Sequence, residues 1–243
     1  SNNLPFHVII VLPIHPEGDL IGDASLQRIY SWQQKTILYI EDQLKKLTRG
    51  TLKTPADYIS VNSLRNWGEL NGRIVTEMIY VHTKLMITDQ HIICGSANIN
   101  ERSMLGDRDS EIAISFKDPA AASQLRKKLW KEHLGLDTEE QLSDSVIEDM
   151  ALWNQIAEQN TETYVNLFED SIEESEALTI KQYAQSLGEI RQSGIIRASK
   201  VKNLLKERIR GHLVRFPIRF LHNELQNTLD VKQAAFQQIK EIG

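Results

Sequence analysis

Apolar and polar positions alternate along this chain with two periods. Phe6-His7-Val8-Ile9-Ile10-Val11-Leu12 is a short apolar run of strand length, closed by Pro13 and Pro16. Such a run predicts a strand buried on both faces of a sheet. From Ser25 to Leu47 the apolar residues fall at 26, 29, 30, 37, 40, 44 and 47, with charges between them. That spacing predicts a helix, with Asp23 or Ser25 as its cap and Gly50 just past its end. Tyr58 to Asn62 predicts a second strand. Ile74 to Val81, Lys84 to Thr88 and His91 to Cys94, rich in Ile, Val, Thr and Tyr, predict three more, with a turn at Asp89-Gln90. Glu111 to Phe116 predicts another, and Asp118-Pro119 opens a helix to about His133. Beyond it the pattern is helical, interrupted by Gly188, Gly194, Gly211 and Pro217. Strands first and helices after give an α/β class: a mixed β-sheet flanked by helices, with a helical C-terminal extension. The division expected is residues 1–133 for the sheet-bearing part and 134–243 for a mainly helical extension packed on it.

Charge sharpens this division. The net charge is −5, from 28 Lys and Arg against 33 Asp and Glu. Residues 1–133 hold 16 basic and 15 acidic residues, 134–180 hold 13 acidic and no basic, and 181–243 hold 12 basic and 5 acidic. The acidic stretch reads as solvated helix faces. A chain of this balance is a poor whole-surface nucleic-acid binder, so nucleic acid is not an expected partner. With 41% hydrophobic and 25% charged residues it is neither disordered nor fibrous. No run of about 18 apolar residues spans a membrane. The only cysteine, Cys94, cannot make an internal disulfide and reads as small packing; a reducing, cytoplasmic setting fits, and secretion is not excluded. The start at Ser1, without Met or signal pattern, suggests a processed or excised chain.

The chemistry concentrates between residues 80 and 111. On a strand from Val81 to Ile87, His82 and Lys84 would share a face. An imidazole beside an ammonium suits an anionic substrate: the cation neutralises phosphate charge, and the imidazole attacks phosphorus or moves a proton. Gly95 permits close backbone approach, and Ser96 and Asn98 offer neutral donors to phosphate oxygens. Arg102 and Arg108 are further anion partners. Glu111 could hold the second imidazole nitrogen of His82 and fix its tautomer. No Cys/His cluster has metal-ligand spacing, and no glycine-rich phosphate loop is present.

His82-x-Lys84-x-x-x-x-Asp89, followed by Gly95-Ser96-x-Asn98, resembles the signature of the phospholipase D superfamily. Three further stretches resemble the C-terminal catalytic half of the eukaryotic-type phosphatidylcholine phospholipases D: residues 13–19, 75–82 and 97–111. So does the closing Ile209-Arg210-Gly211-His212-Leu213-Val214-Arg215-Phe216-Pro217. The resemblance covers roughly residues 5 to 220, weakly between 134 and 205. It implies half of a phospholipase D-like sandwich that cleaves a phosphodiester without metal or other cofactor, through a covalent phosphohistidine. Two copies of the motif meet across a pseudo-two-fold axis in such enzymes.

By the same resemblance His82 is the general acid and base of the second motif. Lys84 and Asn98 hold the non-bridging oxygens with help from Ser96, Glu111 orients His82, and Asp89 is structural. No other histidine here has a lysine two residues on, so one motif is present. The expected partners are a phospholipid at a membrane surface and an N-terminal half carrying the first motif, or else a second copy of this chain. Arg208, Arg210 and Arg215, in a run of nine basic residues and one acid from Arg191 to Arg219, are candidates for anionic-lipid contact or for packing. The four tryptophans read as core, with Trp67 a candidate to flank the cleft. Two other functions are open: a homodimeric single-motif nuclease, disfavoured by the neutral charge around the motif, and a non-catalytic half that binds lipid or a partner.

Overall fold

The computed structural model describes residues 5–14, 22–104, 106, 109–168 and 198–218. The first sheet is built around one long strand. β1 (Val8–Val11) lies parallel to the start of β2 (Ile59–Leu70), in register from Val8 opposite Ile59 to Val11 opposite Asn62. The connection between them contains α1 (Ala24–Thr48), the long crossover that a parallel pair requires. The outer part of β2 pairs antiparallel with β3 (Arg73–Met78), and its middle pairs antiparallel with β7 (Leu213–Arg215). The second sheet is antiparallel, β4 (Lys84–Ile87), β5 (His91–Gly95) and β6 (Ala113–Lys117) in that order.

Helices flank these sheets. The one-turn α2 (Glu101–Met104) follows β5. α3 (Pro119–Leu134) starts where expected, with the Asp118 carboxylate accepting from Ala121 N and proline at the first helical position, and ends at Gly135. α4 (Val146–Leu167) and α5 (Ala198–Arg208) follow. The mixed sheets flanked by helices are the α/β arrangement expected from the sequence.

One core cluster uses the inner stripe of α1. Tyr30, Gln34 and Ile37, at i, i+4 and i+7, are buried; Tyr30 and Ile37 pack with Ile14, Tyr164, Val214 and Phe216. The other cluster stacks Trp130 of α3 on Trp153 of α4, ring centroids 4.4 Å apart, over Leu134, Ile156 and Leu213. Two of the four tryptophans are therefore core. Trp67 also packs against the first cluster and does not line the cleft described below.

α4 holds the C-terminal strand by polar contacts as well. Asn160, fully buried, donates to Arg210 O (2.7 Å) and Leu213 O (2.8 Å) and accepts from Arg210 N (3.0 Å). Thr161 Oγ1 accepts from Arg215 N, and Trp153 Nε1 donates to Asn62 Oδ1. Two chain segments cross where Gly135 and Gly211, both at positive φ (61° and 62°), touch backbone to backbone; a Cβ on Gly135 would sit 2.3 Å from Gly211 N. Neither strain nor space admits a side chain there.

The strand expected from Val81 to Ile87 is corrected. β3 ends at Met78, whose ladder closes with Ile79 N donating to Leu64 O, and β4 begins only at Lys84. Residues 80–83 carry the chain from one sheet to the other and belong to neither ladder. His82 stands on this crossing and not on a strand. The strand expected at 58–62 runs on to Leu70, because the hairpin with β3 extends it through Asn66 and Gly68. The last described segment is not helical throughout, since residues 213–215 add a strand to the first sheet. Residues 1–4, 15–21, 105, 107, 108, 169–197 and 219–243 lie outside the described residues, and with them Arg108, the end of the acidic stretch and the start of the basic run.

Candidate active site

The crossing segment and the end of β5 face each other because β4 pairs with β5 in tight register. Lys84 sits opposite Gly95 and Leu85 opposite Cys94. The turn between the strands is tied by Thr88: its N donates to His91 O (2.9 Å), and its Oγ1 accepts from Gln90 N and His91 N. This register sets His82 and Lys84 beside the Gly95-Ser96-Ala97-Asn98 turn. His82, Thr83, Lys84, Cys94, Gly95, Ser96 and Asn98 line one open cleft of about 520 Å³. Four of the six residues singled out for catalysis or phosphate binding are thus brought together: His82, Lys84, Ser96 and Asn98. Asp89, exposed in the β4–β5 turn, and Glu111 do not line it.

Gly95 is required by the packing of β5 on β6. It pairs with Ala113, and a Cβ there would meet Ile112 O at 2.6 Å and Ala113 Cβ at 2.7 Å. The next residue is bound from three sides. Ser96 N donates to Ile112 O (2.9 Å), its Oγ accepts from Ile112 N (3.0 Å), and its hydroxyl donates to the Glu111 carboxylate. A hydroxyl has one proton, and here it is given to Glu111. Asn98 is exposed at the cleft rim, and its carbonyl accepts from Asn100 N (2.9 Å). Asn100 then caps α2 through Ser103 N (3.0 Å).

Glu111 was expected to hold the His82 imidazole; in the structure its carboxylate is with Ser96. The Ser103 and Ser96 hydroxyls beside it hold its pKa below the ordinary carboxylate value, with the Lys84 ammonium adding to this and Asp109 opposing it. The Ser96 contact meets hydrogen-bond geometry, whereas the buried Ser103 hydroxyl is near without bonding. Glu111 begins no strand, since β6 starts at Ala113. The Lys84 ammonium donates to His82 O (2.6 Å), fixing the crossing segment from behind. Among the described residues the His82 imidazole makes no hydrogen bond, and its ring contact is with Tyr80, centroids 6.0 Å apart and planes 24° from parallel. Tyr80 was missed in the sequence; alternation along an extended Tyr80-Val81-His82 segment is the signal that finds it.

Other expectations are rearranged. Arg102 does not face an anion site; its guanidinium binds the Asp109 carboxylate through Nε (3.0 and 3.1 Å) and one terminal nitrogen (3.1 Å). Cys94 is not buried packing but exposed, along the cleft. Of the three candidate lipid-contact arginines, Arg215 is ion-paired with Glu158 and the Arg210 Nε donates to Gly135 O (3.4 Å). Arg208 is exposed. Among the described residues no group of three His, Cys, Asp or Glu side chains could hold a metal, and no helix is long and apolar enough to cross a membrane.

A basic-and-imidazole cleft at the end of an antiparallel β4–β5 pair, closed by a Gly-Ser-x-Asn turn, has the chemistry to receive an anionic group on an α/β scaffold. Comparison with known proteins gives this scaffold its family. The family model described as Phospholipase D matches residues 72–183. The chain is 34% identical over 267 residues to phospholipase D zeta 1 of Arabidopsis thaliana, covering 90% of this chain and 24% of that protein. It is 38% identical over 199 residues to phospholipase D C of Dictyostelium discoideum, covering 71% and 12%. It is 32% identical over 248 residues to phospholipase D2 of Bos taurus, covering 90% and 26%. The chain belongs to the phospholipase D superfamily, and it spans about a quarter or less of the length of these relatives.

Proposed function

We propose that this chain supplies one motif of a two-motif phospholipase D, which hydrolyses phosphatidylcholine to phosphatidic acid and choline. The observation that carries the reading is the single cleft lined by His82, Lys84, Ser96 and Asn98. Lys84 and Asn98 bind the two non-bridging oxygens of the phosphodiester. The histidine of the other motif attacks phosphorus and the P–O bond to choline breaks. His82 gives its proton to the departing oxygen, so choline leaves as the alcohol and the phosphatidyl group stays on histidine. His82, now a base, takes a proton from water. The resulting hydroxide attacks phosphorus, the P–N bond breaks and phosphatidic acid is released. A primary alcohol in place of water gives the phosphatidyl alcohol by the same step.

The partner half is supported by the surface beside the cleft. Every residue of β6 is exposed, and Ile112 (79%), Ile114 (68%) and Phe116 (45%), at alternate positions, leave apolar area open on one face of the second sheet. A soluble protein rarely leaves such a contiguous patch uncovered. The test is choline release from phosphatidylcholine vesicles by the chain completed with a polypeptide carrying the other His-x-Lys-x-x-x-x-Asp motif. His82→Ala should lower turnover about 10²- to 10⁴-fold, the usual worth of a positioned acid/base group. Normal turnover by His82→Ala would remove the assignment.

A further inference from the structure

We infer that Tyr80 is the positioning residue for the His82 imidazole, holding the plane of that ring by stacking and leaving both ring nitrogens free. The inference rests on the reading of His82 as the acid/base. It starts from what does not hold the ring. His82 lies on the crossing segment, outside either strand ladder, so only its main chain is fixed, by the Lys84 ammonium on its carbonyl (2.6 Å). The carboxylate best placed by the sequence to orient it, Glu111, is engaged by Ser96. Rotation about the last torsion of a histidine side chain is broad and sets no plane by itself. A neighbour must do so.

Tyr80 is that neighbour. In an extended chain residues two apart project to the same side, which brings its ring to the imidazole. The 6.0 Å centroid separation and 24° interplanar angle describe an offset stack, within the range where aromatic pairs attract. The chemistry favours this device over a hydrogen bond. An acid/base histidine that gives a proton to a leaving oxygen and then takes one from water must present a nitrogen to the substrate in both steps. A stacked ring fixes direction without occupying a nitrogen or biasing the tautomer. The Tyr80 hydroxyl has no part in this, so phenylalanine should serve as well.

The test uses two readouts. In the 243-residue chain labelled at histidine, the His82 ring protons, assigned by their loss in His82→Ala, should lie upfield under the Tyr80 ring current. Tyr80→Leu should abolish that displacement, and Tyr80→Phe should keep it. In the completed enzyme Tyr80→Leu should lower kcat about 3- to 10-fold with KM unchanged, and Tyr80→Phe should restore it. Tyr80 is 44% exposed, so the leucine variant should keep its melting temperature, which controls for folding. The inference is overturned if Tyr80→Leu leaves the His82 ring protons in place, or if the leucine and phenylalanine variants lose activity equally. A failure of the acid/base reading looks different: His82→Ala would remain active while the ring-current displacement persisted.

Discussion

Gly95 and His133 each carry a physical constraint that a point substitution exposes. A methyl at residue 95 would press on the Ala113 Cβ of the paired strand and on the Ile112 carbonyl just before it, and neither can rotate away. Gly95→Ala should therefore destabilise the protein by about 1–3 kcal/mol, as overpacking does. It should also disturb Ser96, the next residue; thermal denaturation checks the first effect. His133 is partly buried against Trp153, ring centroids 6.2 Å apart. Burial lowers its pKa from 6.5 to about 4, with Glu132 opposing and His212 assisting the shift. The folded ring is neutral where the unfolded one gains a proton, so its contribution is fully present above pH 6.5 and is lost as pH falls toward 4. Melting temperature measured from pH 7 to pH 4.5 should fall more steeply in wild type than in His133→Gln, with a difference on the order of 2 kcal/mol at the acid end. Parallel curves would contradict this. At this scale the sequence showed which residue types share the cleft, because a linear motif places His82, Lys84, Ser96 and Asn98 together. It did not show the Ser96–Glu111 bond or the Tyr80–His82 stack, since a carboxylate between two candidate partners goes to whichever the strand register brings closest.

Among the secondary-structure elements, the expected helix after Asp118-Pro119 and the strands at 84–88 and 91–94 are in place, because capping chemistry and β-branched runs are local signals. The full length of β2 and the pairing of β7 were not legible, because both depend on partners far along the chain: residues 65–70 are strand because β3 folds back on them, and 213–215 because β2 and α4 receive them. The side chain that fastens this last element is Asn160. Its three hydrogen bonds to the backbone of Arg210 and Leu213 are buried or partly buried, so replacing it strands those groups without these partners. Asn160→Leu should cost about 2–4 kcal/mol. Limited proteolysis should then cut near residues 209–217 well before the core, whereas cleavage at the wild-type rate there would show that apolar packing alone holds the strand.

For the whole molecule, charge and shape point the same way. The net charge of −5 is the sum of a neutral sheet-bearing part, an acidic middle and a basic end, and the cleft lies in the neutral part, where Lys84 is the cation among its lining residues. One fixed cation and one imidazole suit a single phosphodiester group better than a charged polymer. One motif, an open cleft and exposed apolar side chains on β6 beside it are what the proposed half-site requires. The most direct measurement is choline release from phosphatidylcholine vesicles by the purified 243-residue chain as a verified monomer, beside the same chain completed with the other motif. The monomer should give only background release, and the completed enzyme a turnover that His82→Ala removes. Robust turnover by the monomer alone would contradict it.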